Sequence, residues 1–231
     1  MSRKAFIESI VDNSVSVKRV SGGSIMTILD PIETLIRSKR WIQAREAISA
    51  ELRTHPNDHW LLTRMGLTFY QCQNYSTALE WALKAWTLTP TCPLVLWDLA
   101  GTQQMLDRHQ EACELYQLII RRGPKRIAKG PCGEGLARAR GLVCDCHYRL
   151  AESLRGLGLR EESDIAFHNH LDERGPGCRS IYPLQTNQSF WMRTNVRETD
   201  KRRNHHDLER LTMARAAPRL QSTRGANGGS A

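Results

Sequence analysis

Residue types recur along this chain at a step of 34 residues, and this period restricts the folds that the chain can adopt. A fixed period near this length is typical of stacked helical hairpins, because one hairpin alone cannot bury its apolar face. The sequence therefore predicts an all-α superhelical solenoid. The positions related by this step are Pro56, Pro90 and Pro124; Ala44, Ala78 and Ala112; Thr34, Thr68 and Thr102; and Trp41, Tyr75 and His109.

The same register predicts about four repeat units between two flanking segments. One long helix over 134–156 accommodates the extra residues before the last unit, since apolar residues keep helical spacing through it. The tail has too few apolar residues to fold alone, and the leader is expected to be flexible. Translation from Met26 is an alternative to Met1. The predicted segments are the leader 1–24, the units 25–58, 59–92 and 93–126, the insertion 127–143, the unit 144–177 and the tail 178–231.

Charge and hydropathy indicate the compartment of the protein and whether it has a membrane segment. The net charge is +9, and the tail 178–231 carries much of it, with ten Arg and Lys against four Asp and Glu. No apolar run approaches the roughly 18–20 residues that a bilayer-spanning helix needs. Residues 1–20 lack the unbroken apolar centre of a secretory signal. We therefore expect a cytoplasmic protein without a membrane segment.

With these registers laid out, the chain resembles the tetratricopeptide repeat family over about 25–177. That family has a small residue in the first helix of each hairpin, an aromatic opening the second helix, and a proline closing the unit. The fourth unit departs from the pattern, because Ser163 stands in place of the alanine. The resemblance implies a right-handed superhelix whose first helices line a concave groove, and a function in binding proteins or peptides without catalysis. The matching small residues are Gly66, Ala100 and Ala151.

The register also predicts which side chains face this groove. They are mainly aromatic, apolar and amide-bearing, with few charges, and Trp and Tyr are frequent anchors for a bound segment. Packing between neighbouring helices is the alternative role for the two tryptophans. No cation stands where one subclass of the family binds the carboxylate end of chaperone tails, which excludes that function. The predicted groove residues are Trp60, Thr63, Leu67, Tyr70, Gln71, Leu94, Trp97, Gln104, Met105 and Tyr148.

A basic run without acidic residues spans the end of the third unit and the start of the insertion, and it suggests a second function. Such a run can contact a phosphate backbone, although a solvated surface is the commoner explanation. Together with the basic tail it supports the alternative that the protein is a nucleic-acid-associated regulator. The run consists of Arg121, Arg122, Lys125, Arg126 and Lys129.

Other motifs do not support catalysis, a metal or a cofactor. The seven cysteines show no CxxC spacing and read as buried thiols. Cys144 and Cys146 resemble metal ligands. On a helix, however, side chains two residues apart point about 200° away from each other, so the two thiols would not face one metal ion. The segment 130–135 lacks the Gly-Lys-Ser/Thr ending of a phosphate loop. We predict a non-enzymatic adaptor or scaffold.

Stacked repeats need a covered end. We therefore expect 181–191 to cover the last hairpin or to enter the groove.

Overall fold

A computed structural model describes residues 31–130, 132 and 135–182, and these residues form eight α-helices and no strand. The predicted leader 1–24 with Met26, and most of the predicted tail, lie outside the described residues. The helices are α1 (Pro31–Arg37), α2 (Trp41–Thr54), α3 (His59–Gln71), α4 (Tyr75–Leu88), α5 (Pro93–Met105), α6 (His109–Lys129), α7 (Leu136–Gly156) and α8 (Arg160–Asp172).

Consecutive helices pair into hairpins that stack in one row. Each helix contacts the next, and α3 also contacts α5, which in turn contacts α7. The first helices of successive hairpins therefore lie side by side, as the predicted solenoid requires. In the described part of the chain, no helix has the length and apolar character needed to span a membrane.

Local sequence fixes where several helices begin. The Asp58 side chain caps α3 by accepting from the amide of Trp60 at 2.9 Å, and Asn74 caps α4 by accepting from the amide of Thr77 at 3.3 Å. Pro93 opens α5, at a position where its missing N–H leaves no hydrogen bond unmade. These helix starts thus follow from the local sequence.

Small residues at the repeat positions allow the helix backbones to approach closely. Ala44, Ala78 and Ala112 are all buried. A Cβ added at Gly66 would lie 3.3 Å from the carbonyl oxygen of Ala78, which is tighter than most such contacts. Ser163 occupies the alanine position of the fourth hairpin, where its buried hydroxyl donates to the carbonyl of Ala151 at 2.7 Å. This bond removes the cost of burying a hydroxyl, so the departure from the repeat pattern does not interrupt the packing.

The insertion contributes helical residues to α6 and α7. The regular helix of the third unit is interrupted at Gly123, directly before Pro124 where the sequence places the end of the repeat, and helix then resumes as far as Lys129. Gly123 has φ 71°, which glycine adopts without the steric cost that a side chain would add. Pro124 directly after the bend suits the first turn of the restarted helix. The predicted long helix is confirmed in α7, Leu136–Gly156, and Glu134 lies outside the described residues.

The segment after α8 folds back onto α7. The Ser180 hydroxyl donates to Asp145 Oδ1 at 2.5 Å, and the amide of Ile181 donates to Oδ2 at 3.2 Å. Tyr182 is only 1% exposed, and its ring stacks on that of Tyr148 with centroids 4.1 Å apart. The predicted cover for the last hairpin thus begins at 180–182, while 183–191 lie outside the described residues.

The substitution Gly141→Ala tests whether 178–182 docks on α7, because docking decides whether the substitution lowers or raises the free energy of unfolding. A Cβ at Gly141 would overlap the carbonyl group of Arg179, so the docked segment has to move. In an open helix the same substitution stabilises by about 1 kcal/mol, because alanine is the better helix former. We expect Gly141→Ala to lower the free energy of unfolding, measured by urea denaturation of the full chain.

The control is Gly175→Ala, since a Cβ at Gly175 has no atom within 4 Å. Its free energy of unfolding should stay close to that of the parent chain. A Gly141→Ala variant more stable than the parent chain would show that 178–182 does not dock on α7.

Candidate partner-binding groove

The predicted groove residues divide into a buried floor and a more accessible edge. Those forming the floor are Thr63, Leu67, Tyr70, Gln71, Gln104 and Tyr148, which are all buried. Those forming the edge are Trp60, Leu94, Trp97 and Met105, which are half-buried. The side chains available to a partner are therefore a subset of those expected from the register.

A small cavity between α3, α5 and α7 marks the centre of this face. Thr63, Leu67, Tyr70 and Trp97 line it together. The cavity volume is about 20 Å³, which is enough for roughly one water molecule. The face therefore has no deep channel here, and its accessible side chains are the half-buried edge residues.

The other predicted residues lie away from the cavity. Leu94 packs against the apolar cluster around Cys92, and Tyr148 packs against Tyr182 and His170 near the end of the array. Gln104 accepts a hydrogen bond at Oε1 from the Tyr116 hydroxyl at 3.1 Å.

Arg149 of α7 forms the polar centre of the face. Its Nε donates to the Tyr116 hydroxyl at 3.3 Å, and its Nη1 donates to Glu152 Oε2 at 3.1 Å. Its Nη2 would lie 3.9 Å from a Cβ added at Gly101 of α5. The guanidinium therefore lies between α5, α6 and α7 and joins all three.

Three charged residues on this face were missed by the sequence prediction of few charges. Arg64 and Asp98 stand one 34-residue repeat apart, and Arg149 follows Asp98 by one repeat plus the 17-residue insertion. Arg64 and Arg149 are buried, and Asp98 lines the central cavity with Arg149. The three residues share one position of the repeat, which carries an ionisable side chain in each of the last three units. This shared position could have revealed from sequence that the face contains charged residues.

Arg64 is held by an ion pair and by an aromatic ring. Its Nε donates to Glu33 Oε1 at 2.5 Å, and its guanidinium carbon lies 5.2 Å from the centre of the Trp60 ring. The ion pair joins α3 to α1, and the cation–π contact fixes Trp60 and Arg64 relative to each other at the edge of the groove.

Burial sets the protonation behaviour of this face. It raises the pKa of Asp98 to about 7, although the positive charge of Arg64 acts in the opposite direction. It also raises the pKa of Tyr116 to about 12 and that of Tyr70 still further. Asp98 is therefore the group on this face whose charge changes near neutral pH.

Three side chains of this face have enclosed polar atoms without a hydrogen bond to any described residue. These atoms are the Trp60 indole Nε1, both polar atoms of the Gln71 amide, and the Asp98 carboxylate Oδ2. A buried polar group without a partner costs about 1–3 kcal/mol. The atoms lie beneath the accessible surface of the face, which does not present them directly.

The basic run lies on α6 on both sides of the bend. Arg121, Lys125, Arg126 and Lys129 are exposed, whereas Arg122 is half-buried and donates to the carbonyl of Thr91. Arg122 therefore has a structural role, and four cations remain on the surface. Contact of these residues with nucleic acid stays a prediction.

Among the residues that the structure describes, two groups of side chains have the composition of a metal site. Cys144, Asp145 and His170 lie together, but their polar atoms are engaged: His170 Nδ1 lies 2.8 Å from the Cys144 carbonyl oxygen, and the Asp145 carboxylate holds Ser180 and Ile181. This first group anchors the end of the array. Cys146, predicted to point away from Cys144, is not part of it.

The second group consists of His59, Cys92 and Cys132. Sequence reasoning missed it because the three residues come from separate parts of the chain without a metal-ligand spacing. Only the packing of the hairpins brings them together.

Replacing Asp98 with asparagine should change the pH dependence of stability. Because the folded pKa of about 7 exceeds the usual value near 4, the folded chain binds the proton more tightly, and Asp98 lowers stability as pH rises between these values. We expect Asp98→Asn to be more stable than the parent chain at about pH 7 and to lose this advantage near pH 4. Urea denaturation at a series of pH values measures the difference, and parallel pH profiles for the two chains would contradict it.

Comparison with known proteins supports the fold more strongly than any specific function. No family model matches the chain. It is 35% identical to superkiller complex protein 3 of Mus musculus over 79 residues, which is 34% of this chain and 5% of that protein. The match to superkiller complex protein 3 of Homo sapiens is 29% over 111 residues, or 48% of this chain and 6% of that protein. The chain thus spans about one twentieth of the length of these relatives.

Among solved structures, MamA residues 41 to the end from Desulfovibrio magneticus is similar with a TM-score of 0.54 at 16% identity, covering 80% of this chain and 92% of that one. A double mutant of MamA gives a TM-score of 0.50 at 16% identity, covering 62% and 71%. At this identity the likeness concerns the fold alone. The 34-residue register and the stacked helical hairpins that it forms are those of a tetratricopeptide-type repeat fold.

Proposed function

We propose that the protein is a scaffold that binds a segment of a partner protein across the concave face of α3, α5 and α7. The tetratricopeptide repeat fold supports a role in protein–protein interaction in general. The proposal adds the site, and it assigns binding rather than catalysis to it. The proposal also places the binding of the partner in the cytoplasm.

The observation that carries the proposal is the pair of half-buried tryptophans at the edge of this face, Trp60 on α3 and Trp97 on α5. Near them, the Trp60 indole N–H, the Gln71 amide and Asp98 Oδ2 are enclosed without hydrogen bonds to described residues. Leaving such groups unpaired costs free energy. A bound segment that displaces the side chains covering these groups would satisfy them with its backbone donors and acceptors.

The half-buried edge supplies the apolar anchors. Trp60 and Trp97 combine large apolar area with ring N–H donors, and such side chains dominate the energetics of many interfaces. Leu94 and Met105 extend the apolar surface along α5. Asp98 between these anchors favours a segment with a basic side chain, because its carboxylate gains most from a cationic donor.

Membership of a multiprotein assembly is consistent with the relatives. The two curated proteins are named as components of a superkiller complex. Because this chain matches a small part of them, assembly into a complex belongs to the proposal and is not a property carried over from those proteins.

The test is recovery of the partner by variants of the full chain. Affinity purification from the native host with mass spectrometry first identifies proteins that co-purify with the parent chain. We expect the Trp60→Ala, Trp97→Ala double variant to lose them, since removing an anchor of this kind costs about 2 kcal/mol or more, roughly a 30-fold loss of affinity.

Trp86→Ala is the matched control, because Trp86 lies on the second helix α4 and is 39% exposed. It should retain the same proteins, and circular dichroism should show unchanged helicity in all variants. Recovery by the double variant equal to that of the parent chain would show that the partner does not use this face.

A further inference from the structure

We propose that His59, Cys92 and Cys132 bind a thiophilic divalent cation of the zinc class at the edge of the array where α3 and α5 begin. The proposal is independent of the groove and of its partner. It rests on the positions of the three side chains and on their chemical types.

The geometry suits a tetrahedral cation. The His59 Nε2 and Cys132 Sγ atoms are 3.2 Å apart, and the three ligand atoms all lie within 4.8 Å of one another. Ligands at about 2.0–2.3 Å from a tetrahedral zinc ion lie about 3.3–3.8 Å from each other. Side-chain movements of less than about 1.5 Å would thus bring the three atoms to coordinating distance, with a fourth position left for water or another ligand.

Three separate elements hold the ligands in place. His59 is the first residue of α3, Cys92 is the residue before α5, and Cys132 lies between α6 and α7. Arg122 donates to the carbonyl of Thr91, the residue before Cys92, and so ties α6 to this loop. The ligands are therefore positioned by the fold, and a metal would join the insertion to the start of two repeat units.

The charge balance and surroundings favour a cation. Two thiolates neutralise a divalent ion, so the bound site carries no net charge in its apolar setting. Cys92 and Cys132 pack with the apolar cluster that contains Leu62 and Val95. The start of α5 adds the positive end of a helix dipole, which favours a thiolate at Cys92.

The main alternative for this pair is a disulfide between Cys92 and Cys132. The cation is favoured because His59 completes a set of two sulfurs and one nitrogen, which a disulfide does not require. Alkylation of the protein immediately on cell lysis, followed by mass spectrometry, separates the two. A Cys92–Cys132 disulfide as the main form would overturn the proposal, whereas two free or metal-protected thiols support it.

The binding test uses cobalt and then zinc on the full chain after reduction and removal of metal. We expect one Co²⁺ per chain with thiolate-to-cobalt charge-transfer absorption, displaced by Zn²⁺, and a melting temperature several degrees higher with Zn²⁺, because a ligand that binds only the folded chain stabilises it. The Cys92→Ser, Cys132→Ser double variant should lose the absorption and the temperature shift. Cys72→Ser is the matched control, since Cys72 is exposed and outside the cluster, and it should keep both.

X-ray absorption of the zinc-loaded parent chain tests the ligands without relying on a variant. The expected shell contains two sulfurs at about 2.3 Å and one imidazole nitrogen at about 2.0–2.1 Å. A shell of oxygen and nitrogen alone, failure of the parent chain to bind cobalt, or undiminished binding by the double variant would each overturn the proposal.

Discussion

The buried guanidinium of Arg149 holds the last hairpin in line with the others. The insertion separates α7 from the preceding repeat, so sequence spacing alone does not fix where α7 packs. Arg149 reaches the Tyr116 hydroxyl on α6 and lies against Gly101 on α5, while Glu152 on its own helix balances its charge. Burying a guanidinium costs several kcal/mol, and these partners must offset that cost. One side chain thus ties three helices together at the centre of the concave face.

This arrangement also determines what the concave face can bind. The side chains around Arg149 fill the floor and leave space for about one water, so the accessible surface consists of Trp60, Leu94, Trp97 and Met105. At the far end, Tyr182 covers Tyr148 and removes it from that surface. The accessible side chains of this face therefore lie on α3 and α5, while α7 contributes buried side chains to the floor.

The repeat register was sufficient to predict the hairpins, because small residues, caps and prolines act locally. It did not predict the continuation of α6 beyond Pro124, which depends on the positive φ of Gly123. The sequence predicted which helices form the groove, but not how deeply each side chain is buried, since packing between units decides that. Arg64, Asp98 and Arg149 shared a register that could have revealed them. The three side chains of the proposed metal site had no spacing signal, because tertiary packing alone assembles them.

A double-mutant cycle on Tyr116 and Arg149 tests most directly whether this interaction keeps the array continuous through the insertion. Free energies of unfolding would be measured for Tyr116→Phe, for Arg149→Met, for both together and for the parent chain. Contacting residues in one network show coupling of about 0.5–3 kcal/mol, and we expect a coupling of at least about 1 kcal/mol here. Additive effects, with a coupling close to zero, would show that Arg149 does not link α7 to α6 and would contradict this account.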